Sequence, residues 1–199
     1  MKRAAILLVV VALGLGCIAA AMVLHDGLSA TATPTKFETF LAHRARSLAT
    51  PANARAMVNP LQPSADNLRD ARRHFADHCT ICHANDGSGD TMLGRGMYPK
   101  PPDMRLVDTQ NLSDGELFWI IEHGVRFTGM PAFSSHNDTD DNWKLVLFVR
   151  HLAALSPEER IDMEQYNPKG PADREEEKDD DKFLNGAQPE TKKPTEHKH

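Results

Sequence analysis

The run Cys79-Thr80-Ile81-Cys82-His83 constrains this chain more than any other feature. Two thiols separated by two residues sit about one helical turn apart, and the histidine directly after them is carried along on the same turn. Several chemistries use such a pair. A dithiol redox centre belongs to a strand-helix-strand pattern, whereas here a helical pattern leads into Cys79 and a loop rich in Pro and Gly follows Cys82. Structural zinc needs two more ligands at similar spacing, and the third cysteine, Cys17, lies alone in an apolar run. A plain disulfide makes no use of His83. The complete motif fits covalent haem attachment, in which both thiols reach the vinyl edges of one porphyrin and His83 points its imidazole at the iron.

A haem iron used for electron transfer takes a soft sixth ligand, since a thioether favours Fe(II) and raises the potential. Met92, Met97 and Met104 fall in the loop after the motif, and Met163 lies beyond the last long helical pattern. Met130 sits in Thr128-Gly129-Met130-Pro131-Ala132-Phe133, where Gly129 permits close backbone approach and Pro131 fixes the chain direction. The expected ligand set is therefore His83 and Met130. Arg95, Arg105 and Arg126 are candidates for pairing with haem propionates, Arg126 foremost because it is near Met130.

Helical signals surround the motif. Ser64 caps a pattern in which Leu68, Ala71, Phe75 and Cys79 share a face. Ser113-Asp114-Gly115-Glu116 is a capping box, followed by the stripe Leu117, Ile120 and Ile121 and by Gly124 as a stop. Asp138 or Thr139 opens a longer helix carrying Trp143, Leu147 and Phe148, and Ser156-Pro157-Glu158-Glu159 opens a shorter one. Residues 84–110, with Pro99, Pro101 and Pro102, read as a long loop without regular structure.

The stretch from about Ser64 to Leu155 resembles a class I cytochrome c domain in Phe75-x-x-x-Cys79, the Cys79 to His83 signature, Gly129-Met130-Pro131 and the helix containing Trp143. The resemblance implies an all-α fold in which the first and last helices of the domain cross near Ala71, Phe75 and Phe148. It also implies one covalently bound haem c and a hydrogen bond from His83 to a carbonyl of the proline loop, at Pro99, Pro101 or Pro102. The implied function is that of a one-electron carrier rather than an enzyme, in a bacterial respiratory or dehydrogenase-linked chain. Donor and acceptor would be redox proteins. The alternatives are a fixed haem subunit of a larger membrane oxidoreductase complex and a haem enzyme or gas sensor with an open sixth position.

Residues Ala4 to Leu24 carry no charge and follow Lys2 and Arg3; as a helix, roughly 20 such residues cover the ~30 Å hydrocarbon core. A secretory signal usually has only about 7 to 15 apolar residues, although Ala30-Thr31-Ala32 offers a cleavage site. Residues 1–25 are thus expected to be a membrane anchor or signal sequence, with basic residues holding the N-terminus in the cytoplasm and the rest on the periplasmic side. The anchor resembles those of membrane-attached bacterial monohaem cytochromes.

Residues 26–63 read as an extracytoplasmic linker with one short amphipathic helix near Phe37 to Leu48, or as a segment wrapping the next domain. Residues 64–156 form the haem domain, and 157–199 a short helix and a charged tail too poor in apolar residues to order itself. A net charge of -5 leaves no basic footprint for nucleic acid.

Overall fold

The computed structural model describes residues 2–25, 29–134 and 138–170; the charged tail lies outside these, apart from its first three residues. The elements in chain order are α1 (Lys2–His25), α2 (Lys36–Ala49), α3 (Ala52–Arg55), α4 (Ala65–His78), α5 (Thr80–His83), α6 (Met92–Arg95), α7 (Val107–Gln110), α8 (Asp114–His123), α9 (Thr139–His151) and α10 (Pro157–Glu164). No strand occurs among the described residues, so the fold is all-α. Of the described helices, α1 is long and apolar enough to cross a bilayer, and none of its candidate span is covered by the rest of the chain.

The capping signals become helix starts. Ser64, Ser113 and Ser156 each accept the backbone N–H three residues on, and Glu116 and Glu159 close the boxes at α8 and α10. Gly124 ends α8 with φ +65°, a conformation that glycine adopts without strain.

The core forms where α4 crosses α9. Phe75 and Phe148 are both buried, with ring centroids 5.2 Å apart, and Ala71 and Ala76 are buried on the same helix as Phe75. From α8, Phe118 stacks on Trp143 at 4.1 Å. Arg150 ties α9 to the start of α8: its Nε and Nη2 donate to Asp114 Oδ1 at 3.0 and 2.8 Å, and Nη1 to the Gln110 carbonyl at 2.7 Å. These are charge-assisted bonds that also satisfy a loop carbonyl.

Part of the expected linker belongs to this core. Thr50 and Ala54 are buried, the Ser113 hydroxyl donates to the Arg55 carbonyl at 2.9 Å, and the Asn59 amide donates to the Trp143 carbonyl at 2.9 Å. The approach depends on Gly115, where any Cβ would overlap the Ala54 carbonyl. Residues 50–61 therefore wrap the domain. Helix α2 behaves differently, with none of its residues buried.

Beyond the haem-motif pattern, α10 also docks. Met163 is fully buried, and Arg72 on α4 reaches Glu159 Oε1 at 3.0 Å and Asp162 Oδ2 at 2.8 Å. His151 Nε2 lies 3.0 Å from Glu159 Oε2. The loop 84–110, expected to be irregular, contains the single-turn helices α6 and α7; Thr91 caps the first through the Gly94 N–H at 2.8 Å.

Candidate haem-attachment site

Cys79 closes α4, its N–H donating to the Phe75 carbonyl at 2.9 Å, and α5 continues directly so that the His83 N–H donates to the Cys79 carbonyl at 2.9 Å. Ala84, at φ +60°, then turns the chain away. The Thr80 hydroxyl donates to the Ala76 carbonyl at 2.7 Å. With its amide turned to the orientation that satisfies both its ends, Asn167, just beyond α10, donates to the same carbonyl at 3.2 Å and exchanges two hydrogen bonds with the Asn85 amide, at 2.8 and 3.0 Å. The attachment turn is thus gripped from both sides.

Both thiols are free and half-buried. Burial pushes Cys79 up to about 12, with the neighbouring Cys82 adding to the rise, and burial raises Cys82 as well. A redox pair needs a lowered thiol, so this environment does not suit disulfide exchange. Burial pulls His83 down to about 4, which keeps its imidazole neutral, the form that ligates a metal.

Glycines let the following loop fold tightly over the motif. The Gly89 N–H donates to the His83 carbonyl at 2.9 Å, and a Cβ at Gly94 would lie 2.9 Å from the Cys82 carbonyl. Thr91 Oγ1 also donates to that carbonyl, at 3.4 Å. Met97 then lies against Gly129, close enough that any Cβ there would overlap its terminal methyl. This contact joins the loop to the turn that carries Met130. In that turn the Thr128 hydroxyl donates to the Val125 carbonyl at 2.7 Å and accepts from the Met130 N–H at 3.1 Å, while the Val125 N–H donates to the Met130 carbonyl at 3.2 Å. Met130 itself is half-buried against the core.

The border from Cys82 through α6 and Met97 to Gly129 and Met130 carries apolar side chains that the chain leaves uncovered, among them Leu93 and Phe127, the latter 93% exposed. His83 Nδ1, in contrast, is buried without a hydrogen-bond partner. A flat, largely apolar group attached at Cys79 and Cys82 and ligated by His83 fits this donor set and this border.

The implied hydrogen bond from His83 to Pro99, Pro101 or Pro102 is not formed. The Pro101 carbonyl instead lies over Gly89, where an added Cβ would meet it at 2.6 Å. Of the arginines, Arg95 pairs with Asp90 at 2.6 Å, and Arg105 with Asp86 at 2.7 Å and Asp103 at 2.8 Å. Arg126 is exposed, with its guanidinium 6.0 Å from the Phe127 ring centroid. The contact of Met97 with Gly129 and that of Asn167 with Asn85 escaped the sequence reading, because the partners are distant in sequence and follow no period.

Residues 66–149 match the family model described as cytochrome C oxidase, cbb3-type, subunit III. No curated protein matches the sequence. Among solved structures, a chain of the Kuenenia stuttgartiensis reducing HAO-like protein complex is similar at 22% identity with a TM-score of 0.44, over 47% of this chain and 46% of that one. This chain thus spans about half the length of that relative. With its attachment motif on the α4–α5 junction inside the matched residues, the stretch 66–149 is a c-type cytochrome domain.

Proposed function

We propose that the protein carries electrons one at a time through a single haem c, bound covalently through Cys79 and Cys82 and ligated by His83 and Met130. The observation that supports this best is the attachment turn itself: two free thiols and a buried, neutral imidazole with an unpaired Nδ1, within a c-type cytochrome domain. When bound, the haem supplies the Fe(III)/Fe(II) couple. Cys79 and Cys82 would hold the haem through thioether bonds, each thiol's hydrogen passing to the neighbouring vinyl carbon. His83 offers a neutral nitrogen, and Met130 a thioether on a residue whose backbone N–H donates to the Thr128 hydroxyl. Helix α1 anchors the domain on the periplasmic side of the membrane.

One haem per chain by alkaline pyridine spectroscopy, with no carbon monoxide shift in the reduced state, is the expected result. Carbon monoxide binding would favour an enzyme or sensor. Met130→Ala should abolish the methionine-to-iron charge-transfer band and lower the potential by a measurable part of the ~0.8 V that axial ligands span, with the haem still attached. If Met97→Ala did this and Met130→Ala did not, the ligand would lie in the proline loop.

The matched family's description, an oxidase subunit, favours a second reading in which this chain is a fixed subunit of a larger membrane oxidoreductase. Stable partners retained through solubilisation and size-exclusion chromatography would select it over the free carrier.

A further inference from the structure

Among the described residues, helix α2 is the one long element after α1 that the domain does not bury. Its Thr35 cap accepts the Glu38 N–H while Glu38 accepts the Thr35 N–H at 2.7 Å, so the helix start needs no partner. At 100° per residue, Phe37, Phe40, Leu41, Arg44 and Leu48 fall within an arc of about 100°. The four apolar members of this stripe are 55 to 83% exposed. Arg44 lies over the Phe40 ring, 5.3 Å from its centroid, with a stem long enough to lift its charge out of an apolar layer.

The polar side of α2 faces the domain. Glu38, on the flank of the stripe, interacts with Tyr98 of the loop bordering the attachment site, and Arg46, opposite the stripe, is half-buried where the rest of the helix is exposed. The apolar stripe therefore points away from the protein. The helix carries Lys36, Arg44 and Arg46 against Glu38 alone, in a chain that is net acidic. Only residues 26–35 separate it from α1, a reach of at most about 36 Å.

We propose that α2 lies in the surface of an anionic phospholipid bilayer, its stripe at the headgroup–acyl boundary and Lys36 and Arg44 among the lipid phosphates. Basic charge complements anionic lipid, and the short tether keeps the helix close to the surface that α1 enters. The contact with Tyr98 then holds the haem-bordering loop near the membrane. This inference rests on the reading of α1 as a retained anchor.

The test uses the full-length holoprotein, with Cys17→Ser, reconstituted into phosphatidylcholine vesicles with or without phosphatidylglycerol. Nitroxide labels are placed singly through Leu41→Cys, Leu48→Cys, Thr39→Cys and Ala42→Cys, and read for collision with oxygen and with a water-soluble nickel chelate. The expected result is that labels at 41 and 48 favour oxygen several-fold over those at 39 and 42 in anionic vesicles. Lys36→Gln with Arg44→Gln, or omission of phosphatidylglycerol, should shrink the difference. Equal nickel access at all four sites overturns the proposal, as does shielding of 41 and 48 from both reagents, which would mean that protein covers the stripe. Mass analysis of the N-terminus keeps the anchor separate: a cleaved chain that still binds added anionic vesicles with the same pattern retains the α2 proposal and removes the anchor, whereas a retained anchor with water-exposed labels does the reverse.

Discussion

The helical frame of the haem domain and the border of its attachment site are built by opposite means. In the frame, α4, α8 and α9 bury their large side chains against one another, Phe75 on Phe148 and Phe118 on Trp143. Along the border, Phe127 and Leu93 face outward, and the chain is held by loop hydrogen bonds, close glycine approaches and positive φ at Ala84, Gly87, Gly89, Gly124 and Phe127. Apolar burial is what holds the frame together. The border gains its definition from turns too tight for most side chains, which set the backbone around His83 and Met130.

The sharpest way to break this comparison is at the frame. Phe148→Ala empties a fully buried site in contact with Phe75, and the expected loss is about 3–5 kcal/mol by denaturant titration of the holoprotein. A loss below about 1 kcal/mol would mean that the Phe75–Phe148 packing does not hold the frame.

Gly129→Ala tests the border. The new methyl meets Met97, so the expected effect is about 1–3 kcal/mol together with a change in the methionine-to-iron band, and Met97→Ala in the same chain should restore the band. Failure of that rescue would place the strain elsewhere.

The smallest effect concerns pH. The Arg105 side-chain hydrogen bond holds the Asp103 carboxyl below the usual aspartate value of 3.8. Burial pushes Asp86 up, but hydrogen bonds from Ser88 and the charge of Arg105 outweigh it and the net direction is also down. Because the folded values are depressed, this contribution is complete above about pH 4 and is lost as pH falls through the folded values. Arg105→Gln should remove part of that acid sensitivity, at roughly 1 kcal/mol or less near neutral pH since the groups are partly exposed. An unchanged acid limb below pH 4 would show that this clamp does not contribute.

What the sequence displayed was whatever is local or periodic. Ser64, Ser113 and Ser156 announce their helices within three residues, and the Phe75 to Cys79 spacing puts the motif at a helix end. The c-type cytochrome domain was legible because the Cys79 to His83 spacing is one that haem chemistry demands. Hidden were contacts joining distant segments through small or irregular features: Gly115 against Ala54, Met97 against Gly129, and Asn59 on the Trp143 carbonyl. None has a period, and each depends on a shape that exists only after folding. The same holds for residues 50–61, whose prolines resemble a linker although their backbone lies on α8.

The grip on the Ala76 carbonyl has a practical consequence for anyone cutting this gene into an expressible piece. A fragment trimmed to the matched boundaries, 66–149, would discard Asn167, Met163, Ala54 and Asn59, and with them the hydrogen bonds that steady the attachment turn and the groups that cover its frame. The smallest piece worth producing runs from about Thr50 to Pro168, so the haem-bearing unit is wider at both ends than the stretch by which it is recognised.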